Sequence, residues 1–284
     1  MQPIGWRHWW PAALLVVLIS LVYWSVLGRL AAQWWQDPNF SHGFFVPAFA
    51  LFLVWEQRQR LTAIPSRPAW VGLFVIAGSL AMLVVGVLGA ELFLSRSSLV
   101  SLAGGVILLF HGWPRFRALL FPWAVLFLMI PIPTIIFGQI TFPLQMIASA
   151  LASSVLAVVG VPVLREGNVI KIPAMSLEIA QACSGIRSLL SLGTLAVIYG
   201  YFAEKSSGAR VLLALSALPI AVLANALRIV GTGLLVQYWD PDKGEGFFHT
   251  FSGWIIFVFA LLMLYVLHRI VRRLRPPLCR GSSG

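Results

Sequence analysis

Apolar residues run along this chain in long blocks parted by short breaks that carry most of its arginines. A membrane span needs about 20 apolar residues, fewer where interfacial aromatics flank it. On that rule the pattern predicts spans at about 11–30, 43–55, 69–89, 98–112, 119–136, 183–202, 211–239 and 249–268. The second and fourth are short and draw on their flanks. A ninth block, about 138–160, is apolar enough to cross as well, and whether it does so decides which side every later loop faces.

Basic residues collect on the cytoplasmic side of membrane proteins. If 138–160 does not cross, one side gathers Arg7, then Arg58, Arg60 and Arg67, then Arg115 and Arg117. Lys205, Arg210 and the tail arginines Arg269, Arg272, Arg273, Arg275 and Arg280 join them. If it did cross, the basic tail would face outward. The expectation is therefore an all-α polytopic membrane protein of about eight transmembrane helices, with both termini cytoplasmic. The block 138–160 becomes an interfacial or re-entrant helix on the periplasmic side, where Gln139, Thr141, Gln145, Ser149, Ser153 and Ser154 suit partial solvation. The following VPVLREGNVIKIPAMSLEIA sets β-branched residues around a turn signal at Glu166-Gly167-Asn168, which predicts a small extended cap on the same face.

Short loops and the lack of an internal repeat predict a single integral-membrane domain over 1–284, with Gly281-Ser282-Ser283-Gly284 read as a tag remnant. The first apolar block has no clean small-x-small cleavage site and reads as an uncleaved first span.

Composition agrees with a lipid solvent. Hydrophobic residues are 60% of 284, charged residues 10%, and mean hydropathy is +0.90, against roughly 45–50% and about 25% in soluble chains. The net charge of +11 is spread over span breaks and the tail. With no detached basic domain and no recognition motif, nucleic-acid binding is excluded. The two cysteines, Cys183 and Cys279, make no disulfide framework, and no Cys/His cluster has zinc spacing. No cofactor is implied.

Polar groups inside spans are costly and mark candidate chemistry. Cys183 opens the span QACSGIRSLLSL, where a helix N-terminus favours thiolate over thiol; Arg187 lies one turn on. The bland alternative is a small buried hydrophobe in a packed helix. Asn225 and Arg228 share a face of ALPIAVLANALRIVGTGLL. Arg228 sits about 26 Å along that span, near the outer edge of a core about 30 Å thick; an arginine snorkelling to headgroups is the bland reading. His249 begins the last span, and His42, in FSHGFF, stands at the outer end of the second. His8, His111 and His268 fall at inner ends and are assigned no chemistry. The arginine distribution thus puts a thiol, a guanidinium and an imidazole at one depth on one side. Acyl transfer through a thioester requires a nucleophile, an oxyanion stabiliser and a base, the roles these three groups can fill.

SHGFFVP at 41–47, GVPVLREGNVIKIP at 160–173, QACSGIRSLL at 181–190, NALRI at 225–229 and FHTFSGW at 248–254 together resemble the exosortases, relatives of the archaeosortases. The resemblance covers nearly the whole chain. It implies a cysteine endopeptidase/transpeptidase of the bacterial inner membrane. Such an enzyme processes membrane-anchored proteins bearing a C-terminal PEP-CTERM signal, a Pro-Glu-Pro motif followed by a membrane segment and a basic tail, often with a link to exopolysaccharide production. The family's Cys–Arg–His set falls on Cys183, Arg228 and His249. Asn225, Arg187, Ser184 and His42 are the supporting or substrate-binding candidates. The competing readings are a transporter, which would call for a midplane site and inverted repeats, and a non-catalytic export subunit. The sequence does not fix oligomeric state.

Overall fold

A computed structural model describes residues 10–37, 39–173, 176–178, 185–239 and 247–274; side chains 177–178, 185–188, 247–252 and 274 lie outside the description. The protein is mostly helical and divides into two compact units, Met1–Pro133 and Thr134–Gly284.

The first unit holds α1 (Trp10–Val22), α2 (Trp24–Gln36), a 3₁₀ turn (Ser41–Phe44), α3 (Phe45–Glu56), α4 (Arg58–Ala63), α5 (Val71–Leu88), α6 (Leu92–Val125) and a second 3₁₀ turn (Leu126–Met129). α5 and α6 run antiparallel in a tight pair. A Cβ on Gly72 would meet Leu109 N at 2.3 Å and one on Gly86 would meet Ser95 N at 2.6 Å, so hydrogen in place of a side chain lets the backbones close.

α6 itself doubles back. Trp123 Nε1 donates to the Val100 carbonyl at 2.8 Å, whereas 23 residues of straight helix would separate them by about 34 Å. The reversal is at Gly112 (φ +77°, ψ −176°), with Pro114 opening the second arm, where a missing N–H costs nothing. The break falls between the expected spans at 98–112 and 119–136, and Arg115 and Arg117 lie just past it.

The second unit comprises α7 (Thr134–Val158), strands β1 (Leu164–Glu166), β2 (Val169–Lys171) and β3 (Ser176–Glu178), and helices α8 (Gly185–Ala203), α9 (Ser207–Tyr238) and α10 (Phe247–Leu274). The sheet is antiparallel, in order β1-β2-β3. Its first turn is the expected one: Glu166 pairs with Val169 across Gly167-Asn168, and Gly167 takes φ +65°, as a glycine opening a two-residue hairpin loop does. Ile170 packs with Ala148, Ala152 and Leu156 of α7 and with Val222, Ala226 and Ile229 of α9. The opposite face of α9 packs through Leu213, Ala217 and Ile220 on Leu192 and Ala196 of α8 and on Ala260 and Leu264 of α10. α9 is thus the central helix of this unit.

Among the described residues five helices are long and apolar enough to cross a membrane, or six if α1 and α2, bent by 72°, form one span. That count takes Leu92–Met129 as a single helix, although its arms lie antiparallel. The segments Ser41–Glu56 and Leu189–Ala203 are shorter apolar helices. α7, 25 residues long, is one of the five. Its length and composition therefore suit a crossing, and its reading as an interfacial helix rests on the arginine distribution alone.

Candidate functional site

At one end of the second unit, helices α8 and α10 share a buried polar contact. Tyr199 on α8 hydrogen-bonds His268 Nδ1 on α10 at 2.6 Å, and His268 Nε2 meets Glu204 Oε1 at 2.8 Å. Because a carboxylate only accepts, Nε2–H donates. His268 is 4% exposed. Arg210, at the start of α9, donates to the Glu204 and Tyr201 carbonyls. His268 is assigned no chemistry from the sequence because it falls at the end of a span; its partners lie 64 and 69 residues away, and no local pattern joins them. Removing the imidazole takes a hydrogen-bond partner from both Tyr199 and Glu204. His268→Ala is accordingly expected to cost about 1–3 kcal/mol and to lower the melting temperature of the purified protein clearly. An unchanged melting curve would contradict a structural role for the pair.

This contact sets a common level on three helices. At 1.5 Å per residue, His249 on α10 lies about 28 Å from it, Arg228 on α9 about 27 Å from the level of Arg210, and Arg187 on α8 about 18 Å from that of Tyr199. α8 and α10 run parallel to each other and antiparallel to α9, so all three positions lie toward the same end of the bundle.

Arg228 is 5% exposed and Asn225 8%. At about 100° per residue, Arg228 falls on the face of α9 that packs on α8 and α10, in line with Ala221 and Ala224, and Asn225 falls at the edge between that face and the one on α7. Asn225 Oδ1 is buried and has no hydrogen-bond partner among the described residues. A buried acceptor without a donor costs about 1–3 kcal/mol and calls for an explanation. A site that receives a donor from Arg228, from His249 or from a substrate would supply one.

Cys183 and Ser184 lie outside the described residues. Arg187 and His249 are helical, in the first turns of α8 and α10, with their side chains outside the description. His42, in the first unit, donates Nε2–H to the Leu128 carbonyl at 3.2 Å. The neighbouring Gly43 lies against the Trp34 indole, whose ring would stand 2.3 Å from an added Cβ, and Trp34 Nε1 donates to the Met129 carbonyl at 3.0 Å. The SHGF turn therefore ties Ser41–Phe44 to Leu126–Met129, which gives His42 a structural task within its unit.

A model of the transmembrane exosortase family matches residues 34–266 of the chain. No curated protein and no solved structure matches it.

Proposed function

Because the chain belongs to the transmembrane exosortase family, we propose that it is a membrane cysteine protease/transpeptidase with Cys183 as nucleophile, Arg228 as oxyanion stabiliser and His249 as proton shuttle. The substrate is a membrane-anchored protein whose C-terminal signal is of the PEP-CTERM type. The Cys183 thiolate attacks the scissile carbonyl carbon, and the oxygen takes up the negative charge beside the Arg228 guanidinium. The C–N bond breaks as His249 protonates the leaving amine. A thioester remains on Cys183. An amine or water, deprotonated by His249, then attacks it and releases the thiolate, giving transpeptidation in the first case and hydrolysis in the second. Asn225 orients Arg228 or His249, while Arg187 and Ser184 lie within four residues of the thiol in sequence and serve the thiolate or the substrate. In this reading the site faces the periplasm, both termini are cytoplasmic, the chain crosses the inner membrane eight times, and α7 with the small sheet forms the periplasmic cap.

One observation carries the proposal. A desolvated guanidinium on the central helix stands at the height where the helix bearing His249 begins. Charged residues within spans are costly, and they line substrate paths and reactive sites more often than lipid.

The test uses a membrane-anchored reporter carrying such a signal, co-expressed with the protein and followed by size. Arg228→Ala is expected to slow processing by about 10²–10³-fold, the cost of losing one oxyanion donor, with Arg228→Lys retaining part of the activity. His249→Ala should slow it comparably. Wild-type processing by Arg228→Ala, at equal amounts of folded protein, overturns the assignment.

A further inference from the structure

We propose that the outer edge of β3 is a docking strand for the substrate, which adds to the sheet as an extended peptide and is thereby led to Cys183. This inference rests on the protease reading and specifies how the substrate is held. Its basis is the hydrogen-bonding phase of the sheet. The two-residue loop Gly167-Asn168 makes Glu166 and Val169 a hydrogen-bonded pair. Such pairs alternate with non-bonded ones along an antiparallel ladder, so Arg165 and Ile170 form the non-bonded pair. Ile170 therefore turns its N–H and C=O toward β3, where its partner is Leu177. It follows that Ser176 and Glu178 direct their N–H and C=O groups away from β2, toward the outer edge. Among the described residues no strand pairs with that edge. The other edge strand, β1, leans on α7: Ser149 donates to the Gly167 carbonyl at 3.1 Å, and Arg165 lies 3.4 Å from Ser149 Oγ.

An unpaired strand edge is a template for another chain, and strand addition is a common mode of peptide capture. The occupant is the substrate, because Cys183 follows Glu178 by only five positions, with four residues between them. Five steps of chain span at most about 17 Å, which places the docked segment within about five residues of the scissile bond. Main-chain pairing fixes the depth and direction of the peptide while leaving most of its side chains unread. The sheet has its buried Ile170 on one face, while Lys171 and Ser176, cross-strand neighbours, are exposed on the other, so a cysteine at position 176 would disturb no core.

The test is disulfide crosslinking in membranes. The protein carries Ser176→Cys together with Cys183→Ala and Cys279→Ser, and the reporter carries single cysteines walked through the residues flanking its cleavage point. A docked strand brings every second residue to the face of Ser176. Crosslinks are therefore expected to alternate strong and weak over about five consecutive positions. A repeat of three to four residues, a uniform low yield, or no crosslink with both proteins present in the membrane overturns the proposal. Since the nucleophile is absent throughout, the outcome is independent of the catalytic assignment. Processing that survives Cys183→Ala would sink the protease reading while leaving an alternating crosslink pattern standing.

Discussion

Cys183→Ala is expected to abolish processing of a membrane-anchored reporter, with residual turnover at least 10³-fold below wild type and no change in the amount of folded protein. Loss of the attacking group removes the covalent route, leaving only the binding and oxyanion contributions that persist when a nucleophile is deleted. Cys183→Ser discriminates further. The hydroxyl is nearly isosteric with the thiol but gives almost no anion near neutral pH, so a site built to hold a thiolate gains little from it. Cys183→Ser should therefore resemble Cys183→Ala in activity and wild type in stability. The other cysteine, Cys279, lies in the basic tail beyond α10, and Cys279→Ser should process normally. Wild-type processing by Cys183→Ala would remove the nucleophile, and with it the roles given to Arg228 and His249.

The largest effect on stability is expected at Gly112. The reversal of α6 there requires φ +77° and ψ −176°, and a Cβ at this position would lie 1.7 Å from the Arg67 carbonyl oxygen. That backbone region is essentially restricted to glycine and costs about 1–3 kcal/mol for other residues, while forcing extra volume into a closed contact costs a further 1–3 kcal/mol or so. The contact cannot simply open, because the segment before α5 satisfies the carbonyls that the break frees. Arg67 N donates to the His111 carbonyl and Ala69 N to the Leu108 carbonyl, both at 3.2 Å, and Ser66 Oγ donates to the Phe110 carbonyl at 3.0 Å. Pro114 cannot serve Phe110 as a helical residue would, since it has no N–H. Gly112→Ala should thus lower thermal stability of the purified protein sharply or prevent its accumulation. The neighbouring exposed change Trp113→Phe should be mild. A melting temperature within a degree or two of wild type for Gly112→Ala would show that the reversal tolerates a side chain.

Both expectations draw on features that differ in how openly the sequence displays them. The hairpin at 166–169 was legible because its turn chemistry is local: a Gly-Asn pair between β-branched residues has few other uses. The pair Asn225 and Arg228 was legible for the opposite reason, since polar side chains stand out in an apolar span. The reversal of α6 was half legible. The end of one apolar block at 112, the start of the next at 119 and Arg115 and Arg117 between them marked a break, but the folding of the second arm onto the first depends on Gly104 lying against Trp123 and Phe116, contacts that no spacing rule announces. The position of α7 was not legible, because an apolar helix of 25 residues has the same composition whether it crosses or lies in the interface. Nor was the Tyr199–His268–Glu204 contact, whose members come together from 64 and 69 residues apart.

The central claim is that Cys183 carries the acyl group of the substrate between cleavage and transfer. Incubation of the full-length protein in membranes with the reporter, rapid acid quenching and peptide mass spectrometry tests it directly. The account predicts a substrate-derived acyl adduct on the peptide containing Cys183, released by hydroxylamine as a thioester is. An adduct on another residue, or processing that proceeds with Cys183 unmodified at every time point, would contradict it.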